Sequence, residues 1–224
     1  MLAGGLAACG AEAPAEQAAA SEPPPIEQEM PVIGPERHIL AFGDSLFAGY
    51  RLEEDEGYPE RLQVALRASG MNARVIDAGV SGDTTAAGLQ RIAFVLDNLD
   101  VKPELVIVEL GANDMLRSLP PSETRENLSA ILDEITGRDI HVSLMGMRAP
   151  PNLGLEFQAD FDRVYADLAA EYGVPLVPFF LEGIYQRPEL FLEDNLHPTP
   201  EGIDVIVAGT MDAVVDALPE VEES

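Results

Sequence analysis

The chain is poor in positive charge, in cysteine and in histidine, and it has no long apolar run. Its 224 residues hold 13 Lys plus Arg against 40 Asp plus Glu, a formal net charge of −27 at pH 7. A surface this acidic repels nucleic acid and gains nothing from an anionic membrane, so no nucleic-acid partner is expected. At low ionic strength it also repels polyanionic substrates such as acyl-CoA, but not neutral esters. The single cysteine, Cys9, excludes an internal disulfide. No apolar stretch approaches the roughly 18 residues that a membrane span needs. No His, Asp or Cys cluster has ligand spacing, so neither a metal nor a cofactor is expected. There is no internal repeat. The 46% of hydrophobic residues exclude a disordered chain and suffice for one domain with a sizeable core.

Residues 1–35 read differently from the rest. Leu6-Ala7-Ala8-Cys9 closes a small-residue run and resembles the end of a bacterial lipoprotein signal, although no charged segment precedes it. The expectation is an exported protein, periplasmic or held at the outer membrane through a lipidated Cys9. An incidental Ala/Gly-rich terminus would instead leave it cytoplasmic. From Gly10 to about Pro35 the chain is rich in Ala, Glu and Pro, the composition of a solvated tether. A single domain is expected over 36–224.

Within that domain strand-like and helix-like segments alternate. Apolar runs predict strands at Ile39–Phe42, Arg74–Ala78, Leu105–Val108, His141–Met145 and Val174–Val177, with the Leu105 run central. Amphipathic stretches predict helices at Pro59–Ser69, Thr84–Asn98, Ser122–Thr136, Phe157–Tyr172 and Glu201–Leu218. Asp83 is the expected cap of the second helix, and Thr199 followed by Pro200 that of the last. The alternation implies an α/β fold: a three-layer, flavodoxin-like α/β/α arrangement on a roughly five-stranded parallel sheet. Right-handed crossovers then bring the loops after the strands to one edge.

Four of those loops carry residues suited to chemistry. Gly43-Asp44-Ser45-Leu46 follows the first strand and leaves a serine hydroxyl in the open at the ligand-binding edge. Gly82, at the start of a helix, offers an unobstructed and electropositive N–H. Asn113, after the central strand, offers a neutral amide donor. Asp194 lies three residues before His197, in a loop stiffened by Pro198 and Pro200. A carboxylate on one ring nitrogen fixes the tautomer and leaves the other nitrogen to take a serine proton. His38 and His141 lie in or beside strands and read as structural. Each motif alone is more often a turn, a helix cap or a surface loop. Together they supply a nucleophile, two oxyanion donors and an Asp/His pair on one edge.

In these blocks the chain resembles the GDSL or SGNH hydrolase family, and within it the bacterial thioesterase I, lysophospholipase L1 and arylesterase group. The matching segments are Gly43–Leu46 with Ala48-Gly49-Tyr50, Ser81–Thr84, Val108–Asp114, Pro175–Phe180 and Asp194–Pro198. The resemblance implies that Ser45 is the nucleophile, His197 the general base and Asp194 its orienter. It implies an oxyanion hole made by Gly82, Asn113 and the Ser45 N–H. Ala112 stands where close relatives often have glycine.

The expected reaction is two-step acyl transfer on short-chain carboxylic and aryl esters, with thioesters and lysophospholipids as further substrates. Asp44 and Leu46 beside Ser45, and Met147 and Pro150 in the Pro/Gly-rich segment Met145–Gly154, are the expected substrate contacts. That segment is expected to be a mobile loop over the acyl chain. Since a neutral His197 is needed, rate is expected to fall as pH drops through about 6 to 7. A sugar-ester deacetylase is the alternative enzyme. A flavodoxin-like binding module is the alternative of another class, though Phe47 and Tyr50 interrupt any glycine-rich phosphate loop and no Walker lysine follows.

Overall fold

The computed structural model describes Met1 and residues 32–220. The expected lipidation site Cys9 and nearly all of the expected tether lie outside the described residues. The strands are β1 (Ile33–Gly43), β2 (Met71–Gly79), β3 (Leu105–Glu109), β4 (His141–Met145) and β5 (Leu176–Val177). The helices are α1 (Tyr58–Ala68), α2 (Thr85–Asp97), α3 (Ala112–Leu116), α4 (Pro121–Thr136), α5 (Leu155–Tyr172) and α6 (Pro200–Ala217). The strands form one parallel sheet in the order β2-β1-β3-β4-β5. Helices α1 and α6 pack together on one face, and α2, α4 and α5 adjoin one another on the other.

Burial explains the order. Every residue of β3 is buried, and the second half of β1, Ile39–Gly43, is too. Burying a Val, Leu or Ile side chain is worth about 1.5–3 kcal/mol, so these two runs are stable only with helices on both faces. As expected, β3 is the middle strand.

β1, β2 and β3 run past their expected bounds, whereas β5 and α2 are shorter than expected. β1 begins at Ile33, inside the segment expected to be tether, because the Ile33 N–H bonds to the Gly70 carbonyl and Ile33 pairs with Met71. Asp83 does not cap α2: Thr84 does, its side chain accepting from the Ala87 N–H at 3.3 Å. Asp83 is drawn instead to Arg91, at 2.6 Å. Thr199 caps α6 as expected, accepting from the Gly202 N–H at 3.1 Å.

The order 2-1-3-4-5 has its switch point between β1 and β3. Chain connections leave these neighbours toward opposite sides, opening a crevice at the strand C-terminal ends. The turns carrying Ser45 and Asn113 flank it.

Candidate active site

The serine turn is anchored from below. Gly43 ends β1, and the chain then coils, with the Ala48 N–H bonded to the Asp44 carbonyl (3.0 Å) and the Tyr50 N–H to the Ser45 carbonyl (3.2 Å). Phe47 points into the core. Its ring stacks on Tyr58 at 4.9 Å between centroids and meets Phe180 edge-on at 5.6 Å. Such pairs contribute about 0.5–1.5 kcal/mol beyond their buried area. Arg91 of α2 ties the strand ends together. Its Nη1 donates to the Ala78 carbonyl and its Nη2 to the Gly43 carbonyl, both at 2.8 Å, and the guanidinium lies over the Phe42 ring. Gly79, at the end of β2, has no Cβ to collide with the Ala48 backbone, which lets β2 stop against the serine turn.

The histidine comes from a strapped loop. Phe191 and Pro198 form an antiparallel bridge, and the Leu192 N–H bonds to the His197 carbonyl at 2.8 Å. Asn195 takes a left-handed φ of 56°, which Asn tolerates better than most residues. That bend turns Asp194 back on the loop. Its Oδ1 accepts the N–H groups of Leu196 and His197, each at 3.0 Å, and its Oδ2 meets His197 Nδ1 at 2.8 Å. Desolvation works to raise the Asp194 pKa, but those two N–H groups and the imidazole outweigh it and bring it down to about 2. An ionised carboxylate only accepts, so Nδ1 carries the ring proton and Nε2 is left as acceptor. Nε2 lies 2.8 Å from Ser45 Oγ. Tyr50 packs against the imidazole at 4.4 Å between centroids.

Gly82 and Asn113 reach the same space. Gly82 has φ +87°, which favours glycine, and its carbonyl accepts from Arg117 Nη2 at 2.8 Å. Asn113 sits in the first turn of α3, a short helix where only a loop was expected. Asp114 next to it accepts the Thr85 N–H at 2.8 Å and the Thr85 hydroxyl, which joins α3 to the start of α2. Asn113 Nδ2 donates to Asp44 Oδ2 at 3.0 Å.

Ser45, Gly82, Asn113 and His197 all line one cavity of about 570 Å³. Leu46, Met147 and Pro150 line it too, with Met115, Leu181 and Phe191 among the further apolar walls. Asp44 does not: it is fully buried beneath the turn, and holds Asn113 and the Leu46 N–H rather than facing a substrate. The segment after β4 is tied down at Ala149, whose N–H donates to Asp162 at 2.8 Å and whose carbonyl accepts from Gln158 at 2.9 Å. His38 lies beside Glu36 within β1, and His141 opens β4 at the far edge of the sheet. Sequence reasoning missed the roles of Arg91 and Arg117, which hold the carbonyls of Gly43 and Gly82. Each acts through partners distant in the chain, and no local pattern marks them.

Residues 41–205 match the GDSL-like lipase/acylhydrolase family model. The chain is 42% identical to an arylesterase of Vibrio mimicus over 73% of its own length and 80% of the relative's. It is 37% identical to the thioesterase 1/protease 1/lysophospholipase L1 of Escherichia coli strain K12, over 71% of this chain and 74% of that one. The structure of AlinE4, an SGNH-hydrolase family esterase, superposes with a TM-score of 0.71 at 59% identity, covering 84% of this chain and all of that one. AlinE4 has also been solved as alanine variants of one serine and one aspartate, spaced along that chain as Ser45 and Asp194 are here. With the family model matched over most of its length, the chain belongs to the GDSL-like lipase/acylhydrolase family and is a hydrolase of carboxylic esters.

Proposed function

We propose that the enzyme cleaves short-chain carboxylic and aryl esters through an acyl-enzyme on Ser45. One observation carries this reading. A line of hydrogen bonds, Asp194 Oδ2 to His197 Nδ1 and His197 Nε2 to Ser45 Oγ, each 2.8 Å, ends at an apolar cavity.

In the first step Ser45 Oγ attacks the ester carbonyl carbon while its proton passes to His197 Nε2. Negative charge collects on the carbonyl oxygen, where the N–H groups of Gly82 and Ser45 and the Asn113 amide receive it. The imidazolium then protonates the departing alcohol or phenol. In the second step His197 takes a proton from water as the water oxygen attacks the acyl-enzyme carbonyl; the C–Oγ bond then breaks, the imidazolium returns its proton to Ser45 Oγ, and the carboxylic acid leaves. Asp194 holds the imidazole and stabilises its charged form.

Two expected outcomes follow from these roles. Asn113→Ala is expected to lower kcat by about 10²–10³, the loss typical of one oxyanion donor, with KM nearly unchanged in steady-state assays. The rate is also expected to fall on acidification. Only neutral His197 accepts a proton, and Asp194, brought down to about 2, stays ionised throughout the range. Protonation of Asp194 therefore does not contribute to the acid limb of a kcat/KM profile above about pH 4.

Leu46, Met147 and Pro150 give the acyl group an apolar wall. The relatives named arylesterase and thioesterase 1/lysophospholipase L1 support aryl esters as substrates, with thioesters and lysophospholipids within range. The charge of −27 disfavours long-chain acyl-CoA. A p-nitrophenyl ester series from acetate to palmitate tests this: kcat/KM is expected to be highest for the short acyl groups. A higher value for palmitate, or for long-chain acyl-CoA at moderate salt, overturns the proposed preference. Export, with attachment through a lipidated Cys9, completes the proposal and rests on the Leu-Ala-Ala-Cys run.

A further inference from the structure

We infer that Glu109, which the mechanism above does not use, is a positioning residue: its carboxyl holds that of Asp44, and Asp44 holds the Asn113 amide toward the cavity. The inference rests on Asn113 being an oxyanion donor.

Glu109 ends β3 directly beside Gly43 and is fully buried. Its Oε2 accepts the Asp44 N–H at a long 3.5 Å, and its Oε1 has no N–H or hydroxyl partner among the described residues. Asp44 is equally buried, and the bond from its N–H to Glu109 brings the two carboxyls together, each acting on the charge of the other. Among the described residues neither has a cation paired with it. Arg91, the guanidinium packed nearest from α2, is engaged by Asp83 and by the carbonyls of Gly43 and Ala78. From α3, Asp114 adds negative charge to the surroundings, and from α5 the Tyr165 hydroxyl donates to the Leu110 carbonyl at 2.9 Å. His197 lies on the Asp44 side of the pair.

Two buried carboxyls in contact cannot both be ionised, so the pair holds a proton. The donors decide where it sits. Asp44 accepts the Leu46 N–H on Oδ1 and the Asn113 amide on Oδ2, each at 3.0 Å, and both bonds favour its ionised form. Glu109 accepts, among the described residues, a single N–H at the long 3.5 Å. Burial and the Asp44 charge push the Glu109 carboxyl well up. A proton on Glu109 also turns its contact with Asp44 into an O–H donating to a carboxylate, one of the stronger hydrogen bonds. The result is a relay in which Glu109 O–H and Asn113 N–H both donate to Asp44. Asn113 Nδ2 carries two hydrogens. Spending one on Asp44 fixes the amide plane and aims the other at the cavity that Ser45 and Gly82 share.

The test compares Glu109→Gln and Glu109→Ala, alone and in an Asn113→Ala background, with p-nitrophenyl acetate. Gln keeps the shape and an N–H donor, so kcat is expected to stay within about threefold. Ala removes the donor and releases Asp44, so kcat is expected to fall by about 10² while KM changes little. In the Asn113→Ala background the Glu109→Ala loss is expected to vanish, since the group being positioned is gone. A Gln variant as impaired as the Ala variant, an Ala variant with native kcat, or a fully additive double variant overturns the inference. Asn113→Ala with native kcat overturns the oxyanion assignment first, and that arm is read separately. Should the variants fail to fold, infrared spectroscopy of the unaltered enzyme at pH 7 decides. A protonated-carboxyl band is expected, and its absence overturns the inference.

Discussion

Replacing Ser45 by alanine is expected to lower kcat by about 10⁶-fold, with p-nitrophenyl acetate hydrolysis as the assay. The size follows from what is lost. The serine oxygen forms the covalent bond of the proposed intermediate, and its side-chain hydrogen bond is to His197 Nε2. Alanine removes that oxygen and little else. The turn is held by Phe47 against Tyr58 and Phe180, so thermal unfolding is expected to be nearly unchanged. His197→Ala is expected to cost about as much, because serine without a base is a poor nucleophile. The double variant is expected to be no worse than either single one, since residues acting as a unit are not additive. The residual rate is expected to come from water attacking an ester held by the proposed oxyanion donors, the Gly82 N–H and the Asn113 amide. A Ser45→Ala enzyme retaining a tenth of native kcat would remove the acyl-enzyme from the account.

The second large effect is expected from Asp194→Asn, a loss of about 10⁴ in kcat from a change that leaves the shape of the side chain intact. Two backbone N–H groups, of Leu196 and His197, already point at Oδ1. An asparagine therefore keeps its carbonyl oxygen there and presents its NH₂ to His197 Nδ1. The imidazole must then accept at Nδ1 and carry its proton on Nε2, the nitrogen facing Ser45. That tautomer cannot take the serine proton. Asp194→Ala, which takes the carboxylate away from Nδ1, is expected to be less damaging than Asp194→Asn, because either tautomer stays available. Stopped assays of both variants beside the native enzyme check the ranking. Equal activity of Asp194→Asn and native enzyme contradicts the role given to Asp194.

Much of this site was readable along the chain because its parts are local. The apolar run of β3, the turn residues after β1, and the three-residue step from Asp194 to His197 each sit within a few positions. Alternation of strands and helices then places their ends on one edge. What was not readable depends on partners far apart in sequence. Asp83 precedes a helix and looks like its cap, but Arg91, two turns into α2, takes it, and Thr84 caps instead. Asp44 beside the serine looks like a substrate contact, yet the sheet buries it against Glu109 and Asn113. Asn113 looks like a loop residue, and the short helix α3 forms because Thr85 and Asp114 pair across 29 positions. Tyr50 was visible as part of a motif, but its packing on His197 appears only once the last loop returns to the first turn.

The central claim is that Ser45 is an activated nucleophile in this particular setting. A fluorophosphonate probe followed by intact-protein mass spectrometry and peptide mapping tests it most directly. The account predicts one adduct per chain, on Ser45, formed more slowly below neutral pH and absent in Ser45→Ala. An adduct on any other residue, or one that persists in Ser45→Ala, contradicts it.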